Sequence, residues 1–192
     1  MGFVTRNTYY FDAPGKENTR DAARFAVERA RELGIKRIVV ASTSGWTALT
    51  FQEAMTGTDL ELIVVTHVVG FSKPGEWEFE EEAATALRSA GARIITGTHA
   101  LSGLERAISR SPRLGGSSRT EAIAEALRRT VAIGLKVAVE CVLIAADQGA
   151  IGIDEEVIAA GGTANGADTV CVIRPAHTAS FFDLQVREIV AM

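Results

Sequence analysis

The chain is poor in residues that build covalent or metal frameworks. Its 192 residues include two cysteines, Cys141 and Cys171. Both sit inside apolar stretches rather than in CxxC or zinc-like spacing, which argues against a disulfide framework or a structural metal and for a reducing, cytoplasmic compartment. Aromatic residues make up only 6%, so the core is expected to be aliphatic. Neither sign of charge forms a long run, and 20 Lys and Arg against 24 Asp and Glu leave a net charge of −4. No basic surface for nucleic acid is implied. No apolar stretch reaches the roughly 18 residues of a spanning helix. The start MGFVTRNTYYF also lacks the charged end, apolar run and small-residue cleavage site of a signal peptide. With four prolines and no internal repeat, low-complexity tract or linker, residues 1–192 read as a single domain.

What is abundant is aliphatic sequence in short blocks, 47% of the chain being hydrophobic. Asn18 or Thr19 can cap a first helix whose apolar positions run from Ala22 to Leu33, with Gly34 closing it. IKRIVVAS (35–42) and LELIVVTH (60–67) are β-branched runs without polar alternation, the pattern of strands covered on both faces. WTALTFQEAM (46–55) lies between them at helical spacing. A helix starting at the acidic cluster 78–82 and a strand at 92–97 continue the alternation. Helices are expected over 98–110 and 121–134, the latter ended by Gly134. SPRLGGSSR (111–119) between them is the most flexible-looking stretch and a candidate lid. LKVAVECVLIAADQGAI reads as a buried helix. EEVIAAGGT (155–163) and DTVCVIRPA (168–176) read as antiparallel strands turned at Asn165-Gly166. The expected fold is α/β, with three layers and a mostly parallel sheet that has helices on both faces and a C-terminal antiparallel hairpin.

Chemistry concentrates where strands end. In VVASTSGWTA (39–48) a buried strand runs into small hydroxyl residues and a glycine just before a helix. The free amides and positive macrodipole end of that helix favour an anion, with Ser42, Thr43, Ser44, Gly45 and Thr47 as candidates for a phosphate. The alternative is that Ser44 merely caps the helix. Neither a Walker loop nor GxGxxG is present, and ASTSG resembles a nucleophile elbow centred on Thr43 only faintly, since GxSxG is missing. TGTHALSG (96–103) repeats the strand-to-turn arrangement with His99 and Ser102, and His67 ends another strand, so both histidines are expected near one crevice. His177, after the last strand, reads as a surface residue.

On the buried helix, Lys136, Glu140 and Asp147 share one face. Glu140, flanked by Val139 and Cys141, must find a partner or stay protonated. It is either half of an intrahelical pair with Lys136 or a cap to a neighbouring turn, or else, like His99, a candidate acid–base or ligand-binding group. GGTANGAD (161–168) has glycines that would let a ligand approach the backbone, although a hairpin alone needs the same residues. The EWEFEEE run reads as a solvated helix start and is weak support for a metal. The hydrophobic TYYF near the N-terminus suggests a homo-oligomer.

The turn after IVVAS, THALSGLERAISR, GLKVAVECVLIAADQGAI and EEVIAAGGTANGADTVCVIRP together resemble the pyruvate kinase α/β-domain-like proteins, stand-alone homologues of the pyruvate kinase C-terminal domain, over about residues 8–192. The resemblance implies that fold and a phosphate-binding turn at Ser42 to Thr47, which in some pyruvate kinases holds a sugar bisphosphate effector. It also implies flavin mononucleotide (FMN) as cofactor. A flavin ring would then lie near His67, Gly70, Phe71, Gly97, Thr98 and His99, by geometric expectation rather than by family motif. A pyruvate kinase active site needs a (β/α)₈ barrel of roughly 250 residues, for which 192 residues leave no room. The resemblance therefore points to a protein that binds a phosphorylated small molecule, either a flavoprotein with a redox role or a metabolite-sensing module, and less readily a hydrolase.

Overall fold

The computed structural model describes residues 2–192. A short 3₁₀ turn at Lys16–Asn18 leads into α1 (Thr19–Leu33), then β1 (Arg37–Ala41), α2 (Trp46–Ala54), β2 (Glu61–Thr66), α3 (Glu81–Ser89) and β3 (Arg93–Thr96). Three helices follow, α4 (Gly103–Ser109), α5 (Arg119–Thr130) and α6 (Ile133–Asp147), before β4 (Val157–Gly161), β5 (Thr169–Arg174) and β6 (Gln185–Ala191). The six strands form one sheet in the order β3-β2-β1-β4-β5-β6. β1 to β4 are parallel, while β5 and β6 are antiparallel to their neighbours.

The strands alternate between two cores. Ile38, Val40, Leu62, Val64 and Ile158 point towards α1, α2 and α3. Val39, Ile63, Val65, Val157 and Ala159 point towards α6. Period-two strands with apolar residues on both sides require a cover on each face, and the helices supply it as three layers. α6 is buried nearly all round because α5 lies over it, with Ala124, Ile123 and Leu127 against its outer side. A helix apolar on every face needs such a second cover.

Several boundaries differ from expectation. The helix expected over 98–110 begins only at Gly103, leaving a turn that carries His99. The helix expected to stop at Gly134 ends at Thr130, and Gly134 is the second residue of α6. A Cβ there would stand 2.2 Å from Thr169 Oγ1, so glycine is required by the close approach of helix and sheet rather than by a helix end. The link from β4 to β5 is a wide loop over 162–168, with Ala164 and Gly166 at positive φ, rather than a two-residue turn. β6 was not anticipated. Its start, QVRE, is polar, and its pairing with β5 carries two register shifts, so no alternation marks it. Tyr9 bridges to Ala191 beside it and stacks on Phe25 at 4.0 Å, with Phe11 at 6.2 Å from the same ring. Two of the three aromatics of TYYF thus find partners within the chain. Among the described residues, no helix is long and apolar enough to cross a membrane.

Candidate functional site

β1 and β4 are parallel neighbours that are distant in sequence, and their carboxyl ends open a crevice, the place where open α/β sheets bind ligands. The cleft there has a volume of about 260 Å³. Small-molecule sites run from roughly 300 to 1,000 Å³, so a nucleotide-sized ligand would extend through its mouth. Most of its lining comes from four segments, the 41–47 turn, the end of β2 with His67 and Phe71, the α6 face with Lys136 and Glu140, and the 162–166 loop, to which His99, Lys16, Arg106 and Arg128 add single side chains.

The 42–47 turn is built by Ser42. Its Oγ accepts the amides of Gly45 at 3.2 Å and Ala48 at 3.3 Å, and its own amide donates to Val65 O at 3.0 Å. The helix N-cap is Gly45, not Ser44, and Ser42 supplies the capping oxygen from further back. Gly45 has φ 109°, and a Cβ on it would lie 2.5 Å from that of Ala83. Among the described residues, the amides of Trp46 and Thr47 at the head of α2 have no partner. Helix-end amides left free at a crevice form an anion site in themselves. Lys16 brings its Nζ over the Trp46 ring at 4.0 Å, adding a cation to the same wall. Arg106 of α4 and Arg128 of α5 reach the cleft from elsewhere on its rim.

Beyond the adjoining strand ends of β2 and β3 lies an aromatic cluster. Phe71 stacks on His99 at 5.1 Å and meets His67 at 3.9 Å with the ring planes tilted by 33°, and the two imidazoles are 5.4 Å apart. Each histidine faces a glutamate. His67 Nδ1 lies 2.8 Å from Glu78 Oε2, and Ser72 donates to the other oxygen of Glu78 at 2.7 Å. These contacts, Ser72 foremost, hold the Glu78 carboxyl below its ordinary range.

Glu140 is almost wholly buried. It accepts from Lys136 Nζ and, at 2.8 Å, from the Leu101 amide, while His99 Nδ1 stands 3.6 Å away. Burial is the largest single influence and opposes the charge. His99, Lys136 and the Leu101 amide together outweigh it and bring the Glu140 pKa down to about 2. The site therefore holds an ionised carboxylate paired with Lys136 next to His99. Asp147 does not join them. It accepts from the Thr178 amide and hydroxyl and meets His177, anchoring the 3₁₀ turn Thr178–Asp183.

The cleft thus brings together Ser42, Thr43, Ser44, Thr47, His67, Phe71, His99 and Glu140. Gly45 stands behind the turn, Gly70 lies in the strap before Phe71, and Gly97 and Thr98 face a neighbouring depression beside Ser102 and Gln148. None of residues 111–119 lines the cleft. Sequence reasoning missed Lys16, Trp46, Arg106 and Arg128. The two arginines sit in amphipathic helices whose charged residues look like any solvated face, and Lys16 lies in a loop with no motif. No group of three or more His, Cys, Asp or Glu among the described residues is arranged to hold a metal ion.

A parallel β1–β4 core with an antiparallel end, carrying its glycine-turned crevice between β1 and the 162–168 loop, meets a family model described as pyruvate kinase, alpha/beta domain, which matches residues 20–173. The chain belongs to the pyruvate kinase α/β-domain family. The matched span begins in α1 and ends in β5, so it includes every cleft-lining segment except Lys16. It excludes β6, the strand without a sequence signal.

Proposed function

We propose that this α/β domain binds a phosphorylated small molecule in the cleft, and that the ligand is flavin mononucleotide. The observation that carries the reading is the pair of unpartnered amides of Trp46 and Thr47 at the head of α2, opening beside Thr43, Ser44 and Lys16. These groups would hold the phosphate through N–H donors, hydroxyls and one cation. The residues also fit the rest of the group. The Phe71–His99 stack, with ring planes 18° apart, offers a flat surface. The buried His99 Nε2 has no partner among the described residues, leaving a polar contact for a heterocycle. A bound flavin would supply two-electron redox chemistry, and the protein would supply position, access and electrostatics.

The experiment is the visible absorption spectrum of the purified protein, followed by titration with FMN and with riboflavin, which lacks the phosphate. A yellow protein, or uptake of FMN well ahead of riboflavin, supports the reading. A colourless protein that takes up neither overturns it. Arg106 and Arg128 on the rim favour a second reading, a sensor of a ligand with two anionic ends such as a sugar bisphosphate. Affinity for a bisphosphate without affinity for FMN would select it.

A further inference from the structure

The two ring nitrogens of His99 stand in opposite surroundings. Nδ1 faces the Glu140 carboxylate at 3.6 Å. Nε2 is buried and meets neither donor nor acceptor among the described residues. An ionised carboxylate only accepts hydrogen bonds, so the nitrogen facing it is the one that carries hydrogen. A neutral imidazole has a single N–H, and fixing it at Nδ1 leaves Nε2 with a bare lone pair.

No neighbour donates to that lone pair, the Ser102 hydroxyl of the same turn included, which is likewise without a partner among the described residues. Phe71, stacked 5.1 Å away, has no donor. His67 has its Nδ1 engaged by Glu78. Lys136 directs its ammonium to Glu140, and the Leu101 amide goes to the same carboxylate. A buried acceptor left unpaired costs roughly 1–3 kcal/mol, so a donor brought by a ligand would recover much of that.

We infer that His99 Nε2 is the hydrogen-bond acceptor of the cleft for a ring N–H or hydroxyl of the bound ligand, with Glu140 as the positioning residue that fixes this tautomer. The inference rests on the cleft being the ligand site, as proposed above, and it narrows the ligand class: an anionic group at the α2 end and a hydrogen-bond donor at the other. An oxidised flavin ring has one N–H, at its imide, and its other heteroatoms carry lone pairs that would repel Nε2. The imide N–H is therefore the group His99 accepts. A ligand presenting a carbonyl in its place is disfavoured.

Two measurements test this, and they fail separately. Nitrogen-15 NMR of the ligand-free protein at about pH 8, above the ordinary histidine range, reads the tautomer directly. A protonated Nδ1 and bare Nε2 for His99, shifting towards a mixture in Glu140→Gln, is the expected result. A protonated Nε2 in the unmodified protein overturns the inference. Fluorescence titration then compares FMN with its N3-methyl analogue. The methyl group should weaken binding roughly tenfold, and His99→Ala should bind the two flavins equally. Equal affinity for both in the unmodified protein overturns the inference. If neither flavin binds, the flavin reading falls, and the nitrogen spectrum alone decides His99.

Discussion

Glu140 of α6 accepts the backbone amide of Leu101 at 2.8 Å, across 39 residues of sequence. That bond ties the turn after β3 to the buried helix and sets His99, two residues earlier, against the cleft. The same carboxylate neutralises Lys136, itself only 3% exposed. One side chain thus satisfies a buried cation and a buried amide, and it orients an imidazole.

Removing either charge alone should be severe. Glu140→Leu leaves the Lys136 ammonium buried without a counterion, and Lys136→Met leaves the carboxylate likewise, each costing about 3–5 kcal/mol. The double variant Lys136→Met/Glu140→Leu should lose less than the sum, because neither charge is stranded. Urea denaturation of all three measures the coupling, and strict additivity would count against the pair.

Acid should expose the same pair. The folded Glu140 carboxyl has a pKa of about 2 against an ordinary 4.5. Folding therefore favours its ionised form. The resulting stability is complete above about pH 4.5 and is lost as the pH falls towards 2. The shift corresponds to about 3 kcal/mol. Stability measured between those limits should fall less steeply in Glu140→Gln than in the unmodified protein, and parallel curves would contradict the assignment.

Lys16 should act on binding rather than on stability. Its Nζ rests on the Trp46 ring at 4.0 Å and shares the cleft wall with the α2 amides. Lys16→Ala should weaken a phosphorylated ligand by about five- to tenfold, with the loss shrinking as salt rises, and leave the melting temperature near its starting point. Calorimetric titration at two ionic strengths measures both.

Ala164 has φ 63°, in the left-handed region that costs a residue with a Cβ roughly 1–2 kcal/mol. It lines the cleft in the 162–168 loop. Glycine relieves the strain but adds freedom to the unfolded chain, so Ala164→Gly should stabilise by about 0.5–1 kcal/mol. A lower melting temperature for this variant would show that Ala164 is not strained.

The thiols should be silent. Cys141 and Cys171 are both buried. Burial pushes Cys171 up to about 12, and it pushes Cys141 higher still. A thiol reagent at neutral pH should react with neither in the native protein and with both in denaturant. Rapid labelling of one thiol before unfolding would place it at the surface.

The sequence by itself determined the alternation of elements, because each depends on its own residues: β-branched runs for β1, β2 and β3, helical spacing for α1 and α2, and the apolar length of α6. It also marked the 42–47 turn and the two histidines, since a strand that ends in small polar residues before a helix is a local pattern. The tertiary structure decided what those residues meet. Whether Glu140 pairs with Lys136, caps a neighbouring turn or serves as an acid–base group is open in the sequence, and the fold supplies the first two contacts, because α6 crosses the turn that holds Leu101. Gly134 looks like a helix end until β5 is seen against it. β6 has no periodicity of its own and exists as a strand because β5 offers it an edge. Lys16, Arg106 and Arg128 reach the cleft only because a loop and two helices distant in sequence converge there, a long-range relation that no local pattern encodes.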